Sequence, residues 1–265
     1  MKTKKSLGQH FLHSPKIISD IVKTSGTKTD DIVLEIGPGE GILTFELLQT
    51  GAKVIAIEKD DRLIPILQEK FSKEIVSKQF VLIRADILNI PMSRMPFDIK
   101  KYKVVANIPY YITGQIIRKF LESAYQPESM TLLVQKEVAE RIVAKNGKES
   151  LLSLGVKVFG EPKLVRIVGR GAFSPKPNVD SAILYVREIS KKRLDSVNEK
   201  FFFTILHTGF AHKRKQFLSN LTSLYNKETL LKTFKTCEIN TKSRAEDLTL
   251  LTWIKLCKNL KTSIR

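Results

Sequence analysis

The sequence predicts an α/β fold, a mostly parallel sheet with helices on both faces, followed by a small α-helical C-terminal domain. Three observations lead there. Short β-rich runs alternate with amphipathic runs of helix length through the first two thirds of the chain. Past about residue 190 only helical patterns follow. The charge shifts at the same place: residues 1–100 hold 15 basic and 13 acidic side chains, residues 101–190 hold 14 and 8, and residues 191–265 hold 16 and 6. A chain of 265 residues, 42% of them hydrophobic, can bury one large core and a small appendage. The expected domains are 1–190 and 191–265, joined at Ser190-Lys191-Lys192-Arg193.

Taken in order, Ile32–Glu35 reads as a strand and Leu43–Leu48 as its following helix. Lys53–Glu58 and Arg62–Phe71 repeat the pair, and Phe80–Ala85 is a third strand. Lys103–Ala106 precedes a helix at Gln115–Ser123, and Met130–Val134 precedes one at Lys136–Ala144. Leu164–Val168 and Ser181–Val186 have no helix-length insert between them, so they are expected to pair antiparallel at the sheet edge. Phe201–Phe210, Arg214–Leu224, Lys227–Thr233 and Ala245–Leu260 carry the helical pattern of the last domain.

The composition narrows the partners. Lys and Arg outnumber Asp and Glu 45 to 27, a net charge of +18, which favours an acidic partner: nucleic acid, an anionic membrane surface or an acidic protein. No apolar run approaches the roughly 20 residues of a membrane span, so no membrane role is expected. The basic stretch Met1–His10 lacks the apolar core of a secretory signal. Cys237 and Cys257 cannot build a disulfide framework and lack zinc spacing. A reducing, cytoplasmic setting without a bound metal is the expectation.

The glycines at 37, 39 and 41 stand between the first strand and its helix, where a ligand can approach the backbone closely. A dinucleotide fingerprint requires G-x-G-x-x-G, and position 42 is Ile. Glu35, just before the turn, would repel a pyrophosphate but suits a cationic sulfonium carrying an ammonium group. Glu58 ends the second strand, where a carboxylate can accept both hydroxyls of a ribose. Asp86 follows the third strand, placed to accept from an adenine amine. Acids at successive strand ends describe a site for S-adenosylmethionine, and a Rossmann-like methyltransferase sheet. A nicotinamide dehydrogenase is the remote alternative.

Asn107-Ile108-Pro109-Tyr110 follows the fourth strand. An amine conjugated to an aromatic ring is a poor nucleophile, because its lone pair is delocalised. A site for it needs acceptors aimed at the amine protons and a flat surface for the ring. The Asn107 side-chain oxygen and the Ile108 carbonyl can accept, Pro109 stiffens the turn and Tyr110 can stack. Phe173 lies between Gly169-Arg170-Gly171-Ala172 and two prolines, a loop context in which a Phe is not readily buried and could stack on a flipped base.

Together Gly8-Gln9-His10-Phe11-Leu12, Glu35-Ile36-Gly37-Pro38-Gly39, Asn107-Ile108-Pro109-Tyr110 and Phe173–Ser181 resemble the ribosomal RNA adenine dimethyltransferases, in family order and over nearly the whole chain. The resemblance implies two methyl transfers from S-adenosylmethionine to an adenine's exocyclic amine. It implies that His10, Leu12, Gly37, Glu58, Asp86 and Asn107 line the cofactor site, and that Asn107, Tyr110 and Phe173 hold the target adenine. His10 and Tyr111 stand where the family often has Asn; Tyr111, beside the base pocket, could alter target geometry.

One branch of that family acts on two adjacent adenines near the 3′ end of small-subunit rRNA. The other acts on one adenine of large-subunit rRNA and gives macrolide resistance. Lys4–Gln9, Phe210–Leu221 and Arg244–Leu248 resemble the small-subunit branch. A monomer acting on an immature 30S subunit is implied, with a role in subunit biogenesis. Lys213, Arg214 and Lys215 are the candidate phosphate contacts. A binding factor for ribosome assembly, with catalysis secondary, is the alternative from another class.

Overall fold

In a computed structural model the described residues are 10–95 and 101–260. The stretch Lys4–Gln9, including Gly8 and Gln9 of the first motif, lies outside them. The chain opens with β1 (Phe11–Leu12) and α1 (Pro15–Ser25). Then come β2 (Ile32–Ile36), α2 (Ile42–Gln49), β3 (Lys53–Glu58), α3 (Ile64–Lys70), α4 (Ser72–Val76) and β4 (Phe80–Arg84). Next are β5 (Lys103–Asn107), α5 (Thr113–Leu121), β6 (Ser129–Gln135), α6 (Lys136–Val143) and α7 (Leu151–Lys157). Strands β7 (Glu161–Val168), β8 (Phe173–Ser174) and β9 (Ser181–Arg187) follow. The last helices are α8 (Glu199–Gly209), α9 (Phe217–Leu221), α10 (Lys227–Cys237) and α11 (Leu250–Asn259).

Seven strands form one sheet in the order β4-β3-β2-β5-β6-β9-β7. β2, β3, β4, β5 and β6 pair in parallel, while β9 runs antiparallel to both β6 and β7. The antiparallel pair expected from Leu164–Val168 and Ser181–Val186 is therefore present, with β7 at the edge and a register shift between Leu164 and Arg166. β6 is buried along nearly its whole length, as a strand covered on both faces must be. β1 and β8 form a separate two-stranded antiparallel pair, Phe11 opposite Ser174 and Leu12 opposite Phe173.

The chain divides into two compact units. The first comprises Met1–Ala139 and Glu161–Ile189 and contains the sheet. Its core includes Val33, Leu47, Val54, Val105, Leu133 and Ile183. The second comprises Glu140–Gly160 and Ser190–Arg265, so the stretch 140–160 groups with the C-terminal helices, which a single cut at 190 does not provide for. Within it, Glu149 N–H donates to the Glu246 carbonyl at 2.9 Å, and Lys148 pairs with Asp247.

Local sequence accounts for the helices of the second unit. Asn198, Asn226 and Thr249 each cap a helix, their side chains accepting from backbone N–H groups in the first turn. Trp253 is buried against Phe217, ring centroids 4.6 Å apart, and Phe217 also meets Phe234. The helix expected over 214–224 is shorter, Phe217–Leu221. The Asn220 side chain donates to the carbonyls of Gly209 and His212, which holds the segment before it in a turn. Lys213, Arg214 and Lys215 therefore lie on that turn, exposed.

Candidate active site

Parallel strands end on the same edge of the sheet, so whatever follows β2, β3, β4 and β5 converges there. After β2 the chain turns through Gly37 and Gly39 with φ of +66° and +60°, values costly for any side-chain-bearing residue. A Cβ on Gly37 would meet nothing within 4 Å, and the bare backbone faces open space. A Cβ on Gly39 would come within 3.1 Å of the Phe11 ring. The N-terminal strand is thus laid against the glycine turn.

Glu35 is only 1% exposed and faces the same space. The Thr44 hydroxyl donates to its Oε2 at 2.7 Å. Burial pushes its carboxyl up to about 8, against the opposing pull of that hydrogen bond, and the neighbouring Glu58 adds to the rise. Glu58 is held by three backbone donors: Lys59 N–H at 2.8 Å and Asp60 N–H at 2.7 Å on Oε1, and Gly39 N–H at 3.3 Å on Oε2. Burial still raises it above the usual carboxylate range. Oε2, with the one long bond, is the oxygen best able to take a further donor.

Asp86 accepts from Leu88 N–H on Oδ1 at 3.0 Å and from the Lys59 ammonium on Oδ2 at 2.7 Å. Partial burial acts to raise its carboxyl, but Lys59 and the Leu88 donor outweigh it and hold the group below its ordinary value. Asp60 accepts from the Arg62 backbone N–H at 3.2 Å and pairs with the Arg62 guanidinium at 2.5 Å.

After β5, the Asn107 side-chain Nδ2 donates to the His10 carbonyl at 3.1 Å. Tyr110 shares a hydrogen bond with the Ser181 hydroxyl at 2.7 Å. The Tyr110 ring is stacked on the His10 imidazole, centroids 5.8 Å apart and planes 26° from parallel. His10 Nδ1 bonds the Pro175 carbonyl at 2.8 Å.

One cavity gathers nearly all of these groups. His10, Leu12, Gly37, Glu58, Asp86, Asn107 and Tyr110 line it. So do Glu35 and the exposed Tyr111, placed by the sequence at the cofactor turn and beside the base pocket, and Phe11 and Lys59, which sequence reasoning did not assign to the site. The first motif was a signal for Phe11. Phe173 does not line this cavity and is only 3% exposed. The expectation of an unburied loop phenylalanine is corrected: pairing of β8 with β1 draws the ring into the core beside Leu12, Ile18 and Ile183. Lys213, Arg214 and Lys215 are not among the cavity's lining residues. Among the described residues no group of His, Cys, Asp and Glu could hold a metal ion, and no helix is long and apolar enough to cross a membrane.

A sheet of this order, with a positive-φ glycine turn after one strand and acids after the next two, defines a Rossmann-like S-adenosylmethionine-dependent methyltransferase. The residues present fit that cofactor: bare backbone at Gly37, an ordered carboxylate at Glu58 and another at Asp86. The chain belongs to the ribosomal RNA adenine dimethylase family, whose pattern it matches over residues 1–262. It is 42% identical over 259 residues to the ribosomal RNA small subunit methyltransferase A of Dehalococcoides mccartyi strain BAV1, covering 97% of this chain and 88% of that one. To the protein of the same description from Enterococcus faecalis it is 38% identical, covering 97% and 90%. Among solved structures it resembles a dimethyladenosine transferase from Plasmodium falciparum, with TM-score 0.80, 27% identity, and 93% and 96% of the two chains covered. It also resembles the 23S rRNA methyltransferase ErmE, with TM-score 0.78, 28% identity, and 94% and 99% covered. The chain is an S-adenosylmethionine-dependent rRNA adenine dimethyltransferase.

Proposed function

We propose that this enzyme dimethylates two adjacent adenines near the 3′ end of small-subunit rRNA. It works as a cytoplasmic monomer on an immature 30S subunit, with residues 191–265 gripping the rRNA. The observation that carries the chemistry is the orientation of Asn107. Its Nδ2 is committed to the His10 carbonyl, which leaves Oδ1 as the acceptor that this cavity-lining residue has to offer. The small-subunit target is favoured by the relatives at 38–42% identity, described as small-subunit enzymes, over the 28% identical enzyme of 23S rRNA.

When bound, the cofactor supplies a methyl group on a sulfonium, open to in-line displacement. Glu58 and Asp86 would hold its ribose and adenine, and the Gly37 turn its amino-acid end. Asn107 Oδ1 accepts an amine proton of the target adenine and favours a more tetrahedral nitrogen, whose lone pair can then attack. Tyr110, fixed by Ser181, supplies the stacking surface. No strong base is needed, because the extra proton on the methylated amine is acidic and can leave to water. Positioning and electrostatics supply the rate.

Asn107→Ala should reduce methyl transfer to purified small subunits by about a hundredfold or more while subunit binding persists. Mass spectrometry of rRNA from cells with and without the protein reads the target directly. Loss of two dimethyladenosines from small-subunit rRNA is expected. Loss from large-subunit rRNA would move the enzyme to the other branch, and unchanged modification with defective subunits would make it an assembly factor.

A further inference from the structure

We propose that the His10 side chain is a positioning residue for the target adenine and not a cofactor ligand. It holds Tyr110 and the loop around Pro175 in register. The inference rests on the reading of Asn107–Tyr110 as the target pocket.

His10 touches three parts of that pocket at once. Its backbone carbonyl accepts from Asn107, its ring lies on Tyr110, and its Nδ1 meets the Pro175 carbonyl. A carbonyl can only accept, so Nδ1 carries the proton in this contact. The side chain thus spends both its ring face and its donor on the target side. Glu58 and Asp86 take their hydrogen bonds from Lys59, Asp60, Gly39 and Leu88 and do not involve His10. Rings with centroids 5.8 Å apart are already in contact, so no base fits between them. The target base takes the face of Tyr110 opposite His10.

The two contacts restrain Tyr110 from different sides. Ser181 fixes the hydroxyl end and His10 fixes the ring plane. A tilt of the ring would move a stacked adenine relative to Asn107 Oδ1, and displacements of about 1 Å can cost two orders of magnitude in rate. An asparagine at this position would keep a donor for the Pro175 carbonyl but would leave the Tyr110 face bare.

The test uses the full-length protein with His10→Ala, His10→Phe and His10→Asn, each checked by a melting curve. S-adenosylmethionine affinity is measured by calorimetry, and kcat and KM by methyl transfer to small subunits. His10→Ala should lower kcat about tenfold or more with cofactor Kd changed less than twofold. His10→Phe, which keeps a ring on Tyr110, and His10→Asn, which keeps the donor, should each recover part of the loss. A weakened cofactor Kd with normal kcat at saturating cofactor would overturn the proposal, as would a loss that neither variant recovers. Asn107→Ala, run in parallel, separates the two ideas: normal turnover in that variant would sink the pocket assignment itself.

Discussion

Glu35 and Glu58 sit on adjacent strands, and their carboxyls are raised by the same cause, loss of water. For Glu35 the folded value of about 8 stands above the ordinary 4.5, so the folded protein holds a proton that the unfolded chain releases. Stability is expected to fall as pH rises from 4.5 to about 8 and to level off above. Urea titrations across that window should show the slope, and Glu35→Gln should flatten it; equal slopes would mean that Glu35 ionises freely. Glu58→Ala removes a charged acceptor for the ribose hydroxyls, worth roughly 1.5–3 kcal/mol, so calorimetry should find cofactor binding about ten- to a hundredfold weaker. At this scale much of the cavity was legible in the sequence. Strand ends carry ligand groups, and Glu58, Asp86 and Asn107 could be placed by finding the strands. The three backbone donors on Glu58 and the ring of His10 on Tyr110 arise from loop conformations that residue types do not specify.

The short pair β1·β8 shapes the site more than its size suggests. It joins residues more than 160 positions apart, lays Phe11 over Gly39 and buries Phe173. Gly39→Ala meets two obstacles, a φ of +60° and a phenylalanine ring 3.1 Å from the new methyl group. We expect about 1–2 kcal/mol of destabilisation from the backbone alone, together with displacement of β1 from the turn. Hydrogen exchange should show the first strand losing protection before the large sheet does. If β1 kept its protection and cofactor affinity were unchanged, Phe11 would not be a roof over the turn. No local pattern announces a two-residue strand pair, so the burial of Phe173 is not legible from its glycine- and proline-rich surroundings. The seven-stranded sheet was legible because each strand carries its own apolar run between turn residues. The start of α9 was not, because the Asn220 side chain holds the segment before it in a turn through the Gly209 and His212 carbonyls.

At the scale of the whole molecule, charge is unevenly distributed along the chain. Residues 1–100 are nearly neutral, with 15 basic against 13 acidic side chains, and residues 191–265 hold 16 against 6. Acids stand where the cofactor would bind, and the larger part of the excess positive charge lies late in the chain. Within the second unit the turn at Lys213, Arg214 and Lys215 presents three consecutive cations, all exposed, and among the described residues none is drawn into an ion pair. A turn held by Asn220 presents these side chains without a regular helix face to spread them. Neutralising all three should lower affinity for the small subunit and flatten its dependence on salt. Each phosphate contact removed should reduce the logarithmic slope by about 0.7–0.9. Cofactor affinity should stay the same, because none of the three lines the cavity. The measurement is subunit binding by wild type and triple variant across a salt titration, with melting curves as a check on folding. Identical slopes would show that this turn is solvated surface and that the rRNA grip lies on other residues. A slope reduced by about two to three units would assign the phosphate contacts to this turn.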